Sequence, residues 1–182
     1  MEDDCERHEV VMTQLIEGLR NGPVDSEWVK LIKENPELTE ARDFLGQTLL
    51  HLAANSADLL AATTLIKLGA DIEACAGREK TPLESSARSG DVDFVRFLLT
   101  QGANPNNARC MIAACNSRKP NSARSLEAMI EAGGDVNQIH YMFDDKDKPV
   151  TVLNFAGREE DKNVLLAHGA KTVDELRNGE TS

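Results

Sequence analysis

The sequence predicts an all-α solenoid of stacked helix pairs, and three observations carry that prediction. The first is a period. Thr48-Leu49-Leu50-His51-Leu52-Ala53 opens one segment and Thr81-Pro82-Leu83 opens the next, 33 residues on, and Gly69 and Gly102 close them at the same spacing. Two landmarks per copy holding one period mark a repeat in which each unit buries its apolar face against its neighbours. The second is composition: aromatic residues make up 4% of the chain while Ala and Leu abound. This suits helices drawn together through small side chains rather than a sheet core of Val, Tyr and Trp. The third is punctuation, because helical runs of apolar residues stop at Gly22-Pro23, Pro36, Gly69, Gly90 and Gly102.

In chain order, Met1-Glu2-Asp3-Asp4-Cys5-Glu6 reads as an acidic tail. Val10, Val11, Leu15, Ile16 and Leu19 then recur at helical spacing up to Asn21-Gly22-Pro23. A second helix starts after Asp25 or Ser26, carries Trp28, Val29, Leu31 and Ile32, and stops at Asn35-Pro36. This pair lacks the threonine opening, as a terminal unit with one face in water can. The second pair has Thr48 at its start, Leu50, Leu52 and Ala53 facing inward, and Leu59, Leu65 and Leu68 on its outer helix before Gly69. The third repeats it, with Gly90 between helices and Phe94, Val95, Phe97, Leu98 and Leu99 on the outer helix.

The fourth and fifth copies break the period in opposite senses. Ala114-Cys115 aligned on Ala53-Ala54 puts Arg109 in the threonine slot, so the preceding hairpin has lost residues and the loop Ser117–Ser122 has gained some. Before Thr151 the hairpin is lengthened, over 138–149, while Thr151 to Gly169 is shortened. Thr172-Val173-Asp174-Glu175-Leu176 adds a helical turn, and 178–182 read as a disordered tail.

The Thr-Pro-Leu-His-x-Ala opening split between Thr48–Ala53 and Thr81–Leu83, with a 33-residue period, resembles the ankyrin-repeat family. The resemblance implies an ankyrin solenoid of about five helix pairs with short β-hairpin loops over 7–177, in approximate repeats 7–42, 43–74, 75–106, 107–137 and 138–177. It also implies a structural role for His51, bonded to the adjacent hairpin backbone, and a partner-binding concave face. The irregular last repeats and the ending Gly169–Leu176 are similar to small bacterial ankyrin proteins.

Composition excludes several classes. Asp and Glu number 31 against 20 Lys and Arg, a formal charge of −11, which disfavours nucleic acid and anionic membrane and favours a basic protein partner. The chain shows no secretory leader and no apolar run long enough for a membrane span, so a cytoplasmic, free-standing monomer is expected. Cys5, Cys75, Cys110 and Cys115 form no paired motif, and buried free thiols are expected in place of a metal site or disulfides. No phosphate loop occurs, and no histidine has a partner set for catalysis. The expectation is a non-enzyme without cofactor or metal.

Candidate binding residues therefore lie on the surface. Phe44, Leu45 and Gln47 stand at one hairpin, and Arg78, Lys80 and Arg88 at the next. A loop tip gains nothing from Phe44-Leu45 unless something covers them, either a partner or the divergent first pair. The lengthened hairpin supplies Tyr141 and Phe143, then Asp144, Asp145 and Asp147, aromatic anchors beside carboxylates that steer a basic partner. The sharpest form of this expectation is an immunity protein that occludes a cognate basic toxin. Its rivals are a general regulatory adaptor and a hydrolytic or cofactor-binding protein with an unrecognised site.

Overall fold

The computed structural model describes residues 2–77, 80–107, 109–141 and 147–179, with side chains from Val10 to Asn178 within those ranges. Helix pairs stack in two layers. The inner layer runs α1 (Glu2–Asn21), α3 (Leu49–Ser56), α5 (Pro82–Ser89), α7 (Cys110–Ser117) and the 3-10 turn Val152–Phe155. The outer layer runs α2 (Ser26–Glu34), α4 (Leu59–Lys67), α6 (Val92–Thr100), α8 (Ser122–Glu131) and α9 (Glu159–Ala167), and α10 (Val173–Gly179) follows. Every inner element packs on its successor, α2 meets α4, α6 meets α8 and α8 meets α9 in the outer layer, and the first four pairs pack internally, as in a solenoid.

Local chemistry explains where the helices begin. Thr48 and Thr81 are the N-caps of α3 and α5, and the Thr81 hydroxyl accepts from the Glu84 N–H at 3.2 Å. Asp58 and Asp91 cap α4 and α6 through Ala61 N–H at 2.9 Å and Phe94 N–H at 2.8 Å. Arg109 holds the N-cap position of α7 without a side-chain cap, and the helix is kept instead by the fully buried run Cys110–Cys115. Between inner and outer helices the chain turns left-handed at Ala57, Gly90 and Arg118, with φ of 55°, 79° and 53°.

The ends depart from the sequence reading. Helix α1 begins at Glu2, within the stretch read as a tail. Helix α10 reaches Gly179, inside the expected tail, and 180–182 lie outside the described residues. In the fifth pair the inner helix is only a 3-10 turn. Asn154 stands there in place of His51 and accepts from Thr151 N–H at 2.8 Å, while the Thr151 hydroxyl donates to the Lys171 carbonyl at 2.9 Å.

The core is one continuous cluster, in which Leu15, Ile32, Leu50, Leu65, Leu83, Phe94, Leu98, Leu126, Met129 and Leu165 are closed to solvent. At its first joint Gly18 lets Trp28 lie on α1, for a Cβ there would sit 2.6 Å from the indole Cδ1. The indole N–H donates to the Leu15 carbonyl at 2.9 Å. The second joint is polar: Asp58 accepts Val24 N–H at 2.7 Å through the carboxylate oxygen that does not cap α4.

Successive loops are tied by a side-chain ladder. Glu40 accepts from Asp71 N–H (2.9 Å), Glu73 from Asn104 N–H (2.7 Å), Asn106 from Asp135 N–H (2.6 Å) and Asn137 from Lys171 N–H (2.8 Å). The two asparagines also donate back, to the carbonyls of Gly133 (2.9 Å) and Gly169 (3.0 Å), which a carboxylate cannot do. The rungs of the irregular repeats are thus reciprocal, while Glu73 accepts a second bond from the Asn107 side chain. Burial pushes the thiols of Cys110 and Cys115 up to about 12, so both stay protonated, whereas Cys75 is exposed, against the expectation that all would be buried.

Candidate functional site

Hairpins and inner helices together enclose a groove of about 540 Å³ on the concave side. Leu45, Gln47, Ala76, Gly77 and Lys80 come to it from the first two hairpins. Glu84 and Arg88 come from α5, and Arg109, Ile112, Ala113 and Asn116 from α7 and its cap. The far wall is His140, Tyr141, Val150 and Phe155. A volume of this size is in the range that holds a small ligand or a few residues of peptide.

The hairpin tips are positioned by short-range geometry. Arg42 pairs with Thr48, and Ala76 with Lys80, as isolated antiparallel bridges, and Gly46 takes φ of 75° in the first tip. Asp43 accepts from Leu45 and Gln47 N–H at 2.8 and 2.9 Å. The Arg42 guanidinium donates to Gly46 O at 3.0 Å and to Cys75 O, tying one tip to the next.

His51 does the same from below. Its Nδ1 accepts from Thr48 N–H at 3.2 Å, which leaves the proton on Nε2, donated to the Lys80 carbonyl at 2.8 Å. The ring is closed to solvent, and burial lowers its pKa from 6.5 against the opposing pull of the Lys80 carbonyl. The folded value lies below the unfolded one, so the unfolded chain takes up the proton first as pH falls. The stability held this way is whole above pH 6.5 and is lost as pH falls through the lowered folded value. His51→Gln is therefore expected to flatten the pH dependence of unfolding free energy between about pH 7 and 5. Parallel urea titrations of both proteins check it, and equal slopes would contradict it.

The lengthened hairpin forms a two-residue ribbon, β1 (His140–Tyr141) against β2 (Pro149–Val150), in register His140 with Val150 and Tyr141 with Pro149. Arg109 braces it by donating to the Tyr141 carbonyl at 3.1 Å. Burial, with Arg109 alongside, holds the His140 imidazole below its ordinary value. Across the groove Arg88 reaches Glu84 at 2.9 Å, one turn back on α5.

Of the residues singled out from sequence, Leu45, Gln47, Lys80, Arg88 and Tyr141 line this one groove. Phe44 stands on the tip beside it, 85% exposed, and Leu45 is 56% exposed, so neither is packed against the first pair. Asp147 is exposed and outside the groove lining. Arg78, Phe143, Asp144 and Asp145 lie outside the described residues. Arg109, Ile112, Asn116, His140 and Phe155 were not singled out as binding residues. Asn116 occupies on α7 the place that Arg88 holds on α5, legible once the shortened hairpin is allowed for. Arg109 was read only as a degraded capping position. Among the described residues no group of three His, Cys, Asp or Glu is placed to hold a metal ion, and no helix is long and apolar enough to cross a membrane.

The family model for ankyrin repeats (3 copies) matches residues 15–109, just over half of the chain. The chain belongs to the ankyrin-repeat family. Similar stretches occur in two proteins of Arabidopsis thaliana. One is an ADP-ribosylation factor GTPase-activating protein, 40% identical over 68 residues, or 37% of this chain and 9% of that protein. The other is a putative E3 ubiquitin-protein ligase, 39% identical over 84 residues, or 43% of this chain and 22% of that protein. The chain thus matches only a small part of either relative. Ankyrin repeats are protein–protein interaction modules, and the groove is where this stack presents its hairpin tips and inner helices together.

Proposed function

We propose that this ankyrin stack is a non-catalytic binding module whose concave groove takes a segment of a partner protein. The observation that supports it most is the convergence of exposed Leu45 and Tyr141, from hairpins nearly a hundred residues apart, on one concavity with Phe44 at its rim. Apolar side chains held open to water by a rigid backbone fit a surface that a partner covers. Hydrolysis or group transfer would need a nucleophile and base in contact, and among the described residues of the groove Glu84 is paired with Arg88 instead.

Replacing Leu45 and Tyr141 together with alanine tests the reading. Affinity for the partner captured from native extract at low salt is expected to fall about 30-fold or more, for a loss of about 2 kcal/mol or more at an anchor pair. Undiminished capture by a variant of unchanged melting temperature would refute it.

The finer reading, neutralisation of a cognate basic toxin, has the charge of −11 in its favour. It is the weaker one, since the groove itself presents cations and such a toxin would need an acidic docking face elsewhere. Co-expression with toxins encoded beside the gene, scored as growth protection, decides it. A general adaptor role, with several partners of modest affinity, is the form the groove alone supports.

A further inference from the structure

The charge of the groove is opposite to that of the chain. Against a net −11, the lining among the described residues carries Lys80, Arg88 and Arg109, with a single carboxylate, Glu84. Glu84 is already taken: Arg88 lies 2.9 Å from it, and its side chain is 6% exposed. Arg109 donates to the neutral Tyr141 carbonyl, and neither it nor Lys80 has a carboxylate partner among the described residues. Two cations with no carboxylate partner among the described residues, set in a concave wall beside Leu45, Ile112 and Tyr141, make a mixed surface for an anionic, partly apolar ligand. Charges in such a wall act at lower effective dielectric than on open surface, so they select more strongly.

We propose that the groove recognises a short acidic segment of a partner protein, its carboxylates set against Lys80 and Arg109 and a neighbouring apolar side chain seated on Leu45, Ile112 and Tyr141. The inference rests on the groove being the partner-binding face. A peptide is favoured over nucleic acid because the acidic remainder of the chain repels a continuous phosphate polymer, while a few carboxylates between apolar side chains stay within the basic patch. Excess acid outside the groove then acts as a filter, admitting only segments whose negative charge is local.

A random dodecapeptide library displayed on phage and selected on the immobilised full chain provides the test. Enrichment of Asp or Glu next to Leu, Phe or Tyr is expected. A fluorescein-labelled copy of an enriched peptide should bind the double variant Lys80→Glu, Arg109→Glu roughly 30-fold more weakly or worse. Binding to Lys30→Glu with Lys33→Glu, the same charge change at two exposed side chains of α2, should be unaltered. If charge reversal unfolds the chain, Lys80→Met with Arg109→Met keeps the aliphatic stems and gives the same comparison. Enrichment of basic or neutral peptides whose binding still depends on Leu45 and Tyr141 would overturn the acidic specificity and leave the groove reading standing. Selection of nothing that depends on the groove would overturn both. Equal or tighter binding of a thymidine dodecamer at the same residues would assign the cations to nucleic acid and end the proposal.

Discussion

Phe94→Ala is expected to destabilise the protein by about 3–5 kcal/mol, the cost of emptying a fully buried aromatic site. Phe94 is closed to solvent in α6, the outer helix at the middle of the stack, which packs on α8 and on α5. Its ring also meets Phe97, with centroids 5.8 Å apart and planes tilted by 58°, an arrangement contributing about 0.5–1.5 kcal/mol beyond area. A domain of this kind has only about 5–15 kcal/mol of total stability. The variant should therefore melt far below the wild type, and because repeats depend on their neighbours the loss should reach both ends. Urea denaturation followed by helical circular dichroism measures it. A loss under about 1 kcal/mol would mean that the α6–α8 joint is not packed as described.

Asp58→Ala is expected to cost about 2–4 kcal/mol by a different route. One carboxylate oxygen caps α4 through Ala61 N–H, and truncating a cap costs about 1 kcal/mol. The other oxygen is the acceptor for Val24 N–H, a buried donor that alanine would leave without a partner, at about 1–3 kcal/mol. The second loss falls on the link between the first pair and the rest. Amides of α1 and α2 should exchange faster while those of α7 to α9 keep their protection. Asp58→Asn, which can keep the cap, should lie between wild type and Asp58→Ala. Uniformly faster exchange along the whole chain would show that the bond does not act at that joint.

Much of the architecture was legible because the repeat constrains the same few positions again and again. Thr48 and Thr81 start helices, Gly69 and Gly102 take positive φ after them, and His51 bonds to the next hairpin as the resemblance implied. The shift of the fourth repeat placed Arg109 at the head of α7. The same reasoning failed at the ends. Glu2, Asp3 and Asp4 look like a solvated tail in composition, yet are also the residues that a helix N-terminus favours. Asn154 keeps one of the two backbone bonds of His51, and the shortening seen between Thr151 and Gly169 is accompanied by a 3-10 turn in place of the inner helix, a change of geometry that spacing alone does not specify.

The site was half legible. Leu45, Gln47, Lys80, Arg88 and Tyr141 were reachable as variable positions of hairpins and inner helices. What sequence could not supply was the sign of their surroundings. Net charge sums over the chain, and a total of −11 conceals that Lys80, Arg88 and Arg109 meet in one concavity. Only the stacking of repeats brings together side chains so far apart in sequence. The expectation of a basic partner came from that sum and from Asp144, Asp145 and Asp147, of which only Asp147 is described, and the described lining of the groove argues for an acidic one.

Hydrogen exchange on the chain, free and saturated with its captured partner, tests the central claim most directly. The predicted footprint is slowed exchange in the hairpin tips around Leu45 and Lys80, in the first turns of α7 and in the β1–β2 ribbon, with α2, α4 and α6 unchanged. Protection confined to the outer helices, around exposed Leu59 and Leu60, would contradict a concave binding site.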